Sequence, residues 1–325
     1  MDEIQNNSKN IEVSVIIVSY NNFDVLENCL QSLIKFTQDV SYEIIIVDNN
    51  STEGNIEDLI NKFEQDIILI KNDVNKGFAA ANNQGIEIAE GNYFLLLNND
   101  VIFIENSILK VINYLKKEKE NNFIGCKLLN GDGTHQFSIA DFDSIINLIG
   151  EKTFLYLLFP KNKFINRYHK NYLHSDKPFE VDIVKGAFLF GTTSTYKKLH
   201  GFDEKFFFYS EEADLCFRLQ KTGGRTIYYP GTEVIHLGSV AGEKVKWFRH
   251  KHLHTSKIKF WQKHFSKLKY FIALIIHWLG ILIRIPVYFI SGTVRLNRGK
   301  LLQSLIYSRL LLVFPKNEFN GEKGK

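Results

Sequence analysis

Four short apolar runs constrain this chain more than any other feature. VSVIIV begins at Val13, EIIIVD at Glu43, DIILIK at Asp66 and YFLLL at Tyr93. They are nearly continuous rather than alternating, the first three rich in β-branched residues and the last in aromatic residues and leucine, the pattern of strands covered on both faces. Helical patterns separate them. Leu26, Leu30, Leu33 and Ile34 share one face of a helix expected over 23–36, a second helix is expected over 56–63, and NKGFAAANNQGIEIAEG reads as a loop and a small-residue helix. Strands alternating with helices predict an α/β fold around a mostly parallel sheet flanked by helices. Ligands of such sheets sit at the carboxyl ends of the strands. Tyr20, Asp48 and the compact polar knot Asn98-Asn99-Asp100 all fall there.

Beyond Asp100 the alternation weakens. LLNGDGTHQFS carries Asn-Gly and Asp-Gly turn signals for a hairpin. Residues 141–180 are aromatic-rich and fit no regular pattern. VDIVKGAFLFG reads as a strand, and GFDEKFFFYSEEADLCFRLQKTGG as a turn, an aromatic cluster and a short helix stopped by Gly223. RTIYYPGTEVIHLGS supplies a last strand, with His236 near its end.

Hydrophobic residues at 45% and charged residues at 23% are ordinary for a globular chain of 325 residues. Cys29, Cys126 and Cys216 lie far apart without CxxC spacing. That argues against a disulfide framework or zinc site and fits a reducing compartment. The polar, acidic first ten residues do not resemble a secretory signal. The net charge of +4 hides an asymmetry: residues 241–325 hold 17 Lys and Arg against 3 acids, a net of +14, leaving −10 for residues 1–240. In the tail, Ile258, Trp261, Phe265, Leu268 and Ile272 are spaced by three and four, with Lys259, Lys263 and Lys267 on another face. A basic amphipathic helix of this kind suits a membrane interface. It leads into YFIALIIHWLGILIRIPVYFIS, interrupted by His277 and Arg284, which reads as interfacial rather than as a clean span. The expected division is therefore an α/β domain over 11–240 and a basic, apolar helical segment over 241–325. That segment is expected to hold a cytoplasmic protein against the inner face of the cell membrane. A nucleic-acid partner would explain the charge but not the apolar run from Tyr270 to Ile283.

Taken singly, the polar residues have bland explanations. Asp48 and Asp100 can cap a helix or turn, and a lone histidine such as His236 is more often a hydrogen-bonded core residue than a ligand. Their joint arrangement is another matter. VSVIIVSYNN, EIIIVDNNS, NKGFAAANNQG, YFLLLNNDV, VKGAFLF, GFDEKFFFYSEEADLCFR and VIHLGS follow one another as in family 2 glycosyltransferases of the GT-A fold. The chain resembles the rhamnosyltransferase-like branch that builds bacterial surface polysaccharides, over roughly Val13 to Ser239.

The resemblance implies roles. NND stands at the family's DxD motif, which binds a divalent metal and a nucleotide-sugar diphosphate. Asp100 would be a ligand of Mg2+ or Mn2+ together with His236, and Asn98, which replaces the first Asp, brings an amide without charge. Asn99, Gly186, Ala187 and Asp214 would line the nucleotide-sugar site. Ser19, Tyr20 and Asn21 would line the base pocket, Asp48 would contact the nucleoside, and Lys76 and Gly77 would approach the phosphates. Glu211-Glu212 matches the family's Glu-Asp pair, with Glu212 the expected general base and Glu211 the second choice. The implied reaction is an inverting transfer from a nucleoside-diphosphate sugar, dTDP-rhamnose or a UDP-hexose, to a glycan or polyprenyl-diphosphate-linked acceptor. A dinucleotide-dependent oxidoreductase would need a G-x-G-x-x-G turn after the first strand, where VSYNNFDVLEN has no glycine. The remaining alternative is a non-catalytic nucleotide-sugar or glycan-binding protein of the same fold.

Overall fold

In the computed structural model, residues 11–118, 121–168, 175–238 and 243–314 are described. The apolar runs form β1 (Val13–Ser19), β2 (Tyr42–Asp48), β3 (Ile67–Lys71) and β4 (Tyr93–Asn98), separated by α1 (Phe23–Phe36), α2 (Ile56–Ile60) and α3 (Phe78–Ile88). The helix expected over 56–63 stops at Ile60. Lys62 and Phe63 donate their N–H groups to Leu59 O and Ile60 O, a tightened last turn. The chain continues through β5 (Val101–Phe103), α4 (Ser107–Leu115), β6 (Asn122–Leu129), β7 (His135–Gln136) and β8 (Ile139–Ala140). Next come α5 (Ile145–Lys152), α6 (Leu155–Leu158), β9 (Phe179–Glu180), β10 (Ile183–Val184), β11 (Phe188–Thr192), α7 (Thr193–Lys198), α8 (Glu211–Lys221) and β12 (Arg225–His236). The tail forms α9 (Glu243–His264), α10 (Lys267–Val294) and α11 (Arg298–Leu310).

The main sheet runs β3-β2-β1-β4-β11-β6-β12-β5. β3, β2, β1 and β4 are mutually parallel. β11 then enters antiparallel between β4 and β6, β12 runs parallel to β6, and β5 closes the edge antiparallel to β12. The continuous apolar character of β1 follows from coverage of both faces. Val13, Val15 and Ile17 join the core that contains Leu26, Leu30 and Leu33 of α1, and Ile16 meets α3, where a Cβ on Gly85 would lie 2.5 Å from Ile16 Cγ2. The expected hairpin pairs Leu129 with His135 and Leu128 with Gln136 across the turn at 130–134.

The chain divides into two compact units, the first holding the main sheet and the second drawn from segments Phe142–Lys170, Phe208–Ser210 and Val240–Lys325. The second unit accounts for part of the stretch that resisted assignment. Ser144 caps α5 through a reciprocal pair with Asn147, a capping box with an amide in the usual Glu position. The unit also corrects the reading of the tail. The five apolar residues assigned to one helical face are split: Ile258 and Trp261 lie in α9, Phe265 in the bend after it, and Leu268 and Ile272 in α10, because α9 ends at His264 and Ser266 caps α10. Ile258 and Trp261 are buried, and the indole N–H donates to Asp143 Oδ2 at 2.7 Å. His277 and Arg284 likewise point inward. Arg284 donates to Lys152 O at 3.0 Å and to Glu151 O, at the carbonyl end of α5 where a cation is favoured. His277 Nε2 lies 2.8 Å from His254 Nδ1. Leu268, by contrast, is 72% exposed.

Candidate active site

Strand register gathers the residues that the sequence placed at the sheet's carboxyl edge. Ser19 is level with Asp48, and Asn98 with Val18, so three parallel strands end together. β11 starts alongside, with Phe188 opposite Leu97 and Ala187 O accepting from Asn98 N at 3.1 Å. From the far edge, His236 lies opposite Val101. Leu237 N donates to Asp100 O at 3.0 Å, which fixes the exit from β12 against the polar knot.

Asp100 and His236 form the centre of this group. His236 Nε2 is 3.2 Å from Asp100 Oδ1 and 3.2 Å from Asn98 Nδ2. Its other nitrogen, Nδ1, is 2.5 Å from Gln136 Oε1. Gln136 went unnoticed in the sequence because nothing local marks it; only the hairpin that carries it was legible. Beneath the group, Cys29 Sγ lies 3.8 Å from Asn98 O, and its thiol is pushed up to about 12 by burial and by the Asp100 charge. Asn99 occupies the turn between β4 and β5.

The nucleoside side of the edge is held by amides. Asp48 accepts from Ser51 Oγ at 2.5 Å and Ser51 N at 3.2 Å, so its carboxylate is already engaged by its own loop. Asn21 sits at φ 55° and accepts from Thr52 N and Glu53 N at 2.8 and 3.2 Å, tying the β1 loop to the β2 loop. Ser19 Oγ is buried without a hydrogen-bond partner among the described residues, while Tyr20 is exposed. Asn49, which the sequence reading passed over, is buried and spends its whole amide on the neighbouring turn. Its Nδ2 donates to Asn75 Oδ1 at 3.0 Å and Gly77 O at 3.1 Å, and its Oδ1 accepts from Lys76 N at 3.0 Å and Asn72 Nδ2 at 3.1 Å. Gly77 adopts φ 86°, and a Cβ there would lie 2.4 Å from Phe207 O. Only glycine permits this turn. Lys76 projects into solvent beside it.

Glu211 and Glu212 open α8, which packs on β10 and β12. The chain enters that helix through Tyr209 and Ser210 at φ 70° and 69°, two consecutive left-handed residues that are not glycine. Such backbone clusters at functional sites. Glu211 is buried, and Oε2 has no hydrogen-bond partner among the described residues. Burial, reinforced by the Glu212 charge, raises its carboxyl well above the usual range. A like charge beside a buried carboxyl disfavours its ionised form. Asp214 is paired inside the fold. It is fully buried and bound by Arg218 Nε at 2.7 Å, and the same guanidinium donates to Leu199 O and to Gly201 O at 2.6 Å. Asp214 thus orients a clamp on the loop before α8.

Residues 14–189 match the family model described as Glycosyl transferase family 2, more than half of the chain. The chain belongs to this family. It is 26% identical over 234 residues to the N-acetylglucosaminyl-diphospho-decaprenol L-rhamnosyltransferase of Mycobacterium tuberculosis, covering 68% of this chain and 75% of that protein. It is 29% identical over 160 residues to a poly(ribitol-phosphate) beta-glucosyltransferase of Bacillus spizizenii, covering 47% of this chain but only 25% of that protein. The mannosyltransferase PcManGT of Pyrobaculum calidifontis, solved with GDP-Man and Mn2+, shares the fold at a TM-score of 0.56 and 13% identity, over 94% of this chain and 86% of that one. This glycosyltransferase therefore has the GT-A fold that its motifs implied.

A divalent cation fits the residues present. Among the described residues no group of three or more His, Cys, Asp and Glu side chains is arranged to hold a metal. One imidazole nitrogen and one carboxylate oxygen 3.2 Å apart nevertheless approximate the edge of an octahedron with bonds of about 2.1 Å, which is about 3.0 Å. Ions of this kind commonly take one or two protein ligands and complete their shell with substrate phosphates and water.

Proposed function

We propose that this family 2 glycosyltransferase moves a sugar, with inversion, from a nucleoside-diphosphate donor to a polyprenyl-diphosphate-linked or glycan acceptor in bacterial surface-polysaccharide synthesis. The observation that carries this reading is the Asp100–His236 pair at the carboxyl edge, beside the ends of β1, β2 and β4. The named relatives, a rhamnosyltransferase and a glucosyltransferase, favour dTDP-rhamnose or a UDP-hexose as donor.

Asp100 and His236 would hold Mg2+ or Mn2+ against the donor diphosphate, with Asn98 donating to an oxygen nearby. When bound, the metal offsets the negative charge that grows on the leaving diphosphate. The chain's own residues do the rest. The Asn49-braced turn presents Lys76 and the backbone at Gly77 to the phosphates. The strand-end residues Ser19, Asn21 and Asp48 receive the nucleoside. Glu212 accepts the acceptor's hydroxyl proton as that oxygen forms its bond to the anomeric carbon. The bond from that carbon to the diphosphate breaks on the opposite side, and the nucleoside diphosphate leaves. Burial disfavours the ionised form of Glu211, which favours Glu212 as the base.

We place the acceptor's lipid at α10. It is the one helix among the described residues long and apolar enough to cross a membrane, yet it is two-sided. Ala273, His277, Gly280 and Arg284 are buried, whereas Leu268, Ile275, Leu279, Leu282 and Ile290 form an exposed apolar stripe. Lys267 stands at one end and Arg295 and Arg298 at the other, all exposed. A helix with one face built into protein and basic residues at both ends suits a position in the headgroup plane. The protein would then lie on the inner membrane face, where a polyprenyl-diphosphate acceptor presents its sugar.

NMR of the product's anomeric centre tests the reaction. A product with configuration opposite to that of the donor is expected; retention would eliminate the single displacement.

A further inference from the structure

We infer that Gln136 is a positioning residue for His236, setting which of its ring nitrogens is available to the metal. The inference rests on the reading of Asp100 and His236 as a metal-holding pair.

The backbone carbonyl of His236 fixes the orientation of the Gln136 amide. Gln136 Nε2 lies 2.9 Å from His236 O, a backbone carbonyl that can only accept. That contact, with a second from Nε2 to Asn130 Oδ1 at 2.9 Å, fixes which end of the amide is which. Oε1 must then face His236 Nδ1 at 2.5 Å. An amide oxygen only accepts, so Nδ1 must carry the ring proton. In the neutral ring Nε2 is left with its lone pair, directed at the place bounded by Asp100 Oδ1 and Asn98 Nδ2. A lone pair and a carboxylate oxygen 3.2 Å apart repel unless a metal ion or a second ring proton lies between them. Asn98 relieves this only in part, by donating one amide proton.

Gln136 therefore does three things with one side chain. It holds the strand end through His236 O, orients the ring, and selects the tautomer that can bind a metal. A ligating histidine whose far N–H is held by a carbonyl also binds more tightly, because the acceptor raises the basicity of the other nitrogen. The local fold brings the two residues together. The Asn130–Thr134 turn closes with Asn130 N donating to Thr134 O at 2.7 Å, and Gly133 supplies the left-handed residue at φ 78°. The two-residue strand β7 then places Gln136 opposite Leu128, within reach of a histidine 100 positions further along the chain.

The test uses the full-length protein and four variants: Gln136→Met, close in shape but without an acceptor oxygen; Gln136→Glu, which keeps one; His236→Ala; and the Gln136→Met/His236→Ala double variant. Nitrogen-15 NMR of labelled histidine reads the tautomer without metal. Electron paramagnetic resonance reads Mn2+ affinity with UDP or dTDP present. The wild type should show the Nδ1–H form. Gln136→Met should shift His236 toward Nε2–H and weaken Mn2+ binding by roughly 10- to 100-fold, and Gln136→Glu should recover most of that loss. In the His236→Ala background Gln136→Met should cost nothing further. The proposal is overturned if Gln136→Met melts like wild type with tautomer and Mn2+ affinity unchanged, or if its effect persists undiminished without His236. If His236→Ala binds Mn2+ as wild type does, the metal reading itself falls and takes this inference with it. Should Gln136→Met not fold, Asn130→Ala, which removes one of the two acceptors that hold Gln136 Nε2, must shift the tautomer in the same direction; no shift overturns the proposal equally.

Discussion

Replacing Glu211 by Gln separates the two carboxyls at the start of α8. With its pKa raised in the folded protein by burial and by Glu212, Glu211 retains its proton at pH values where the unfolded chain has lost it. The folded state therefore binds the extra proton, and stability falls as pH rises. The stabilising contribution is complete below the unfolded value near 4.5, and it declines by about 1.4 kcal/mol per pH unit until the folded-state pKa is passed. A glutamine cannot ionise. Its stability relative to wild type should consequently grow along that slope from about pH 5 upward, whatever constant offset the new amide introduces. Urea unfolding at half-unit pH steps measures the difference. The same change should leave turnover within a few-fold of wild type, since the amide imitates the neutral acid. Glu212→Gln should instead reduce kcat by roughly 10²- to 10⁴-fold with donor binding intact. A flat stability difference between pH 5 and 8 would refute the protonated Glu211. Loss of turnover in Glu211→Gln alone would move the base to that residue.

Asn49→Asp keeps the acceptor for Lys76 N and Asn72 Nδ2 but sets an anionic oxygen against Asn75 Oδ1 and Gly77 O; it should cost about 2–4 kcal/mol in thermal or urea unfolding and raise the donor KM more than it lowers kcat. Stability within 0.5 kcal/mol of wild type would show that the amide does not brace the turn. On the exposed stripe of α10, the pair Ile275→Glu and Leu279→Glu removes two side chains whose insertion contributes about 1.5–3 kcal/mol each. Flotation of the full chain with anionic vesicles at low salt should weaken by about 100-fold or more, and undiminished flotation would sink the membrane assignment.

Much of this protein is legible in its sequence because the signals are local. A strand buried on both faces must be apolar at successive positions, and a helix with one buried face must repeat every three or four residues. The runs at Val13, Tyr42, Ile67 and Tyr93 and the helix Phe23–Phe36 therefore appear where the pattern places them. The order of the motifs was enough to indicate the family and the fold. Contacts that close the site were not legible. Asn98 meets His236 across 138 positions, and Gln136 meets it across 100; neither separation leaves a mark on the neighbouring residues. The same limit explains the tail. Periodicity shows that a helix has an apolar face but not what will cover it. Trp261 turns inward onto a carboxylate 118 positions earlier, Asp143, which accepts the indole N–H, and Asp214 is buried against Arg218, whose guanidinium also binds the carbonyls of Leu199 and Gly201. Composition and spacing determined the strands, the helices and the chemistry available. Only the tertiary structure decided which side of each helix is solvent and what faces each nitrogen of His236, because both depend on partners that the chain brings together only on folding.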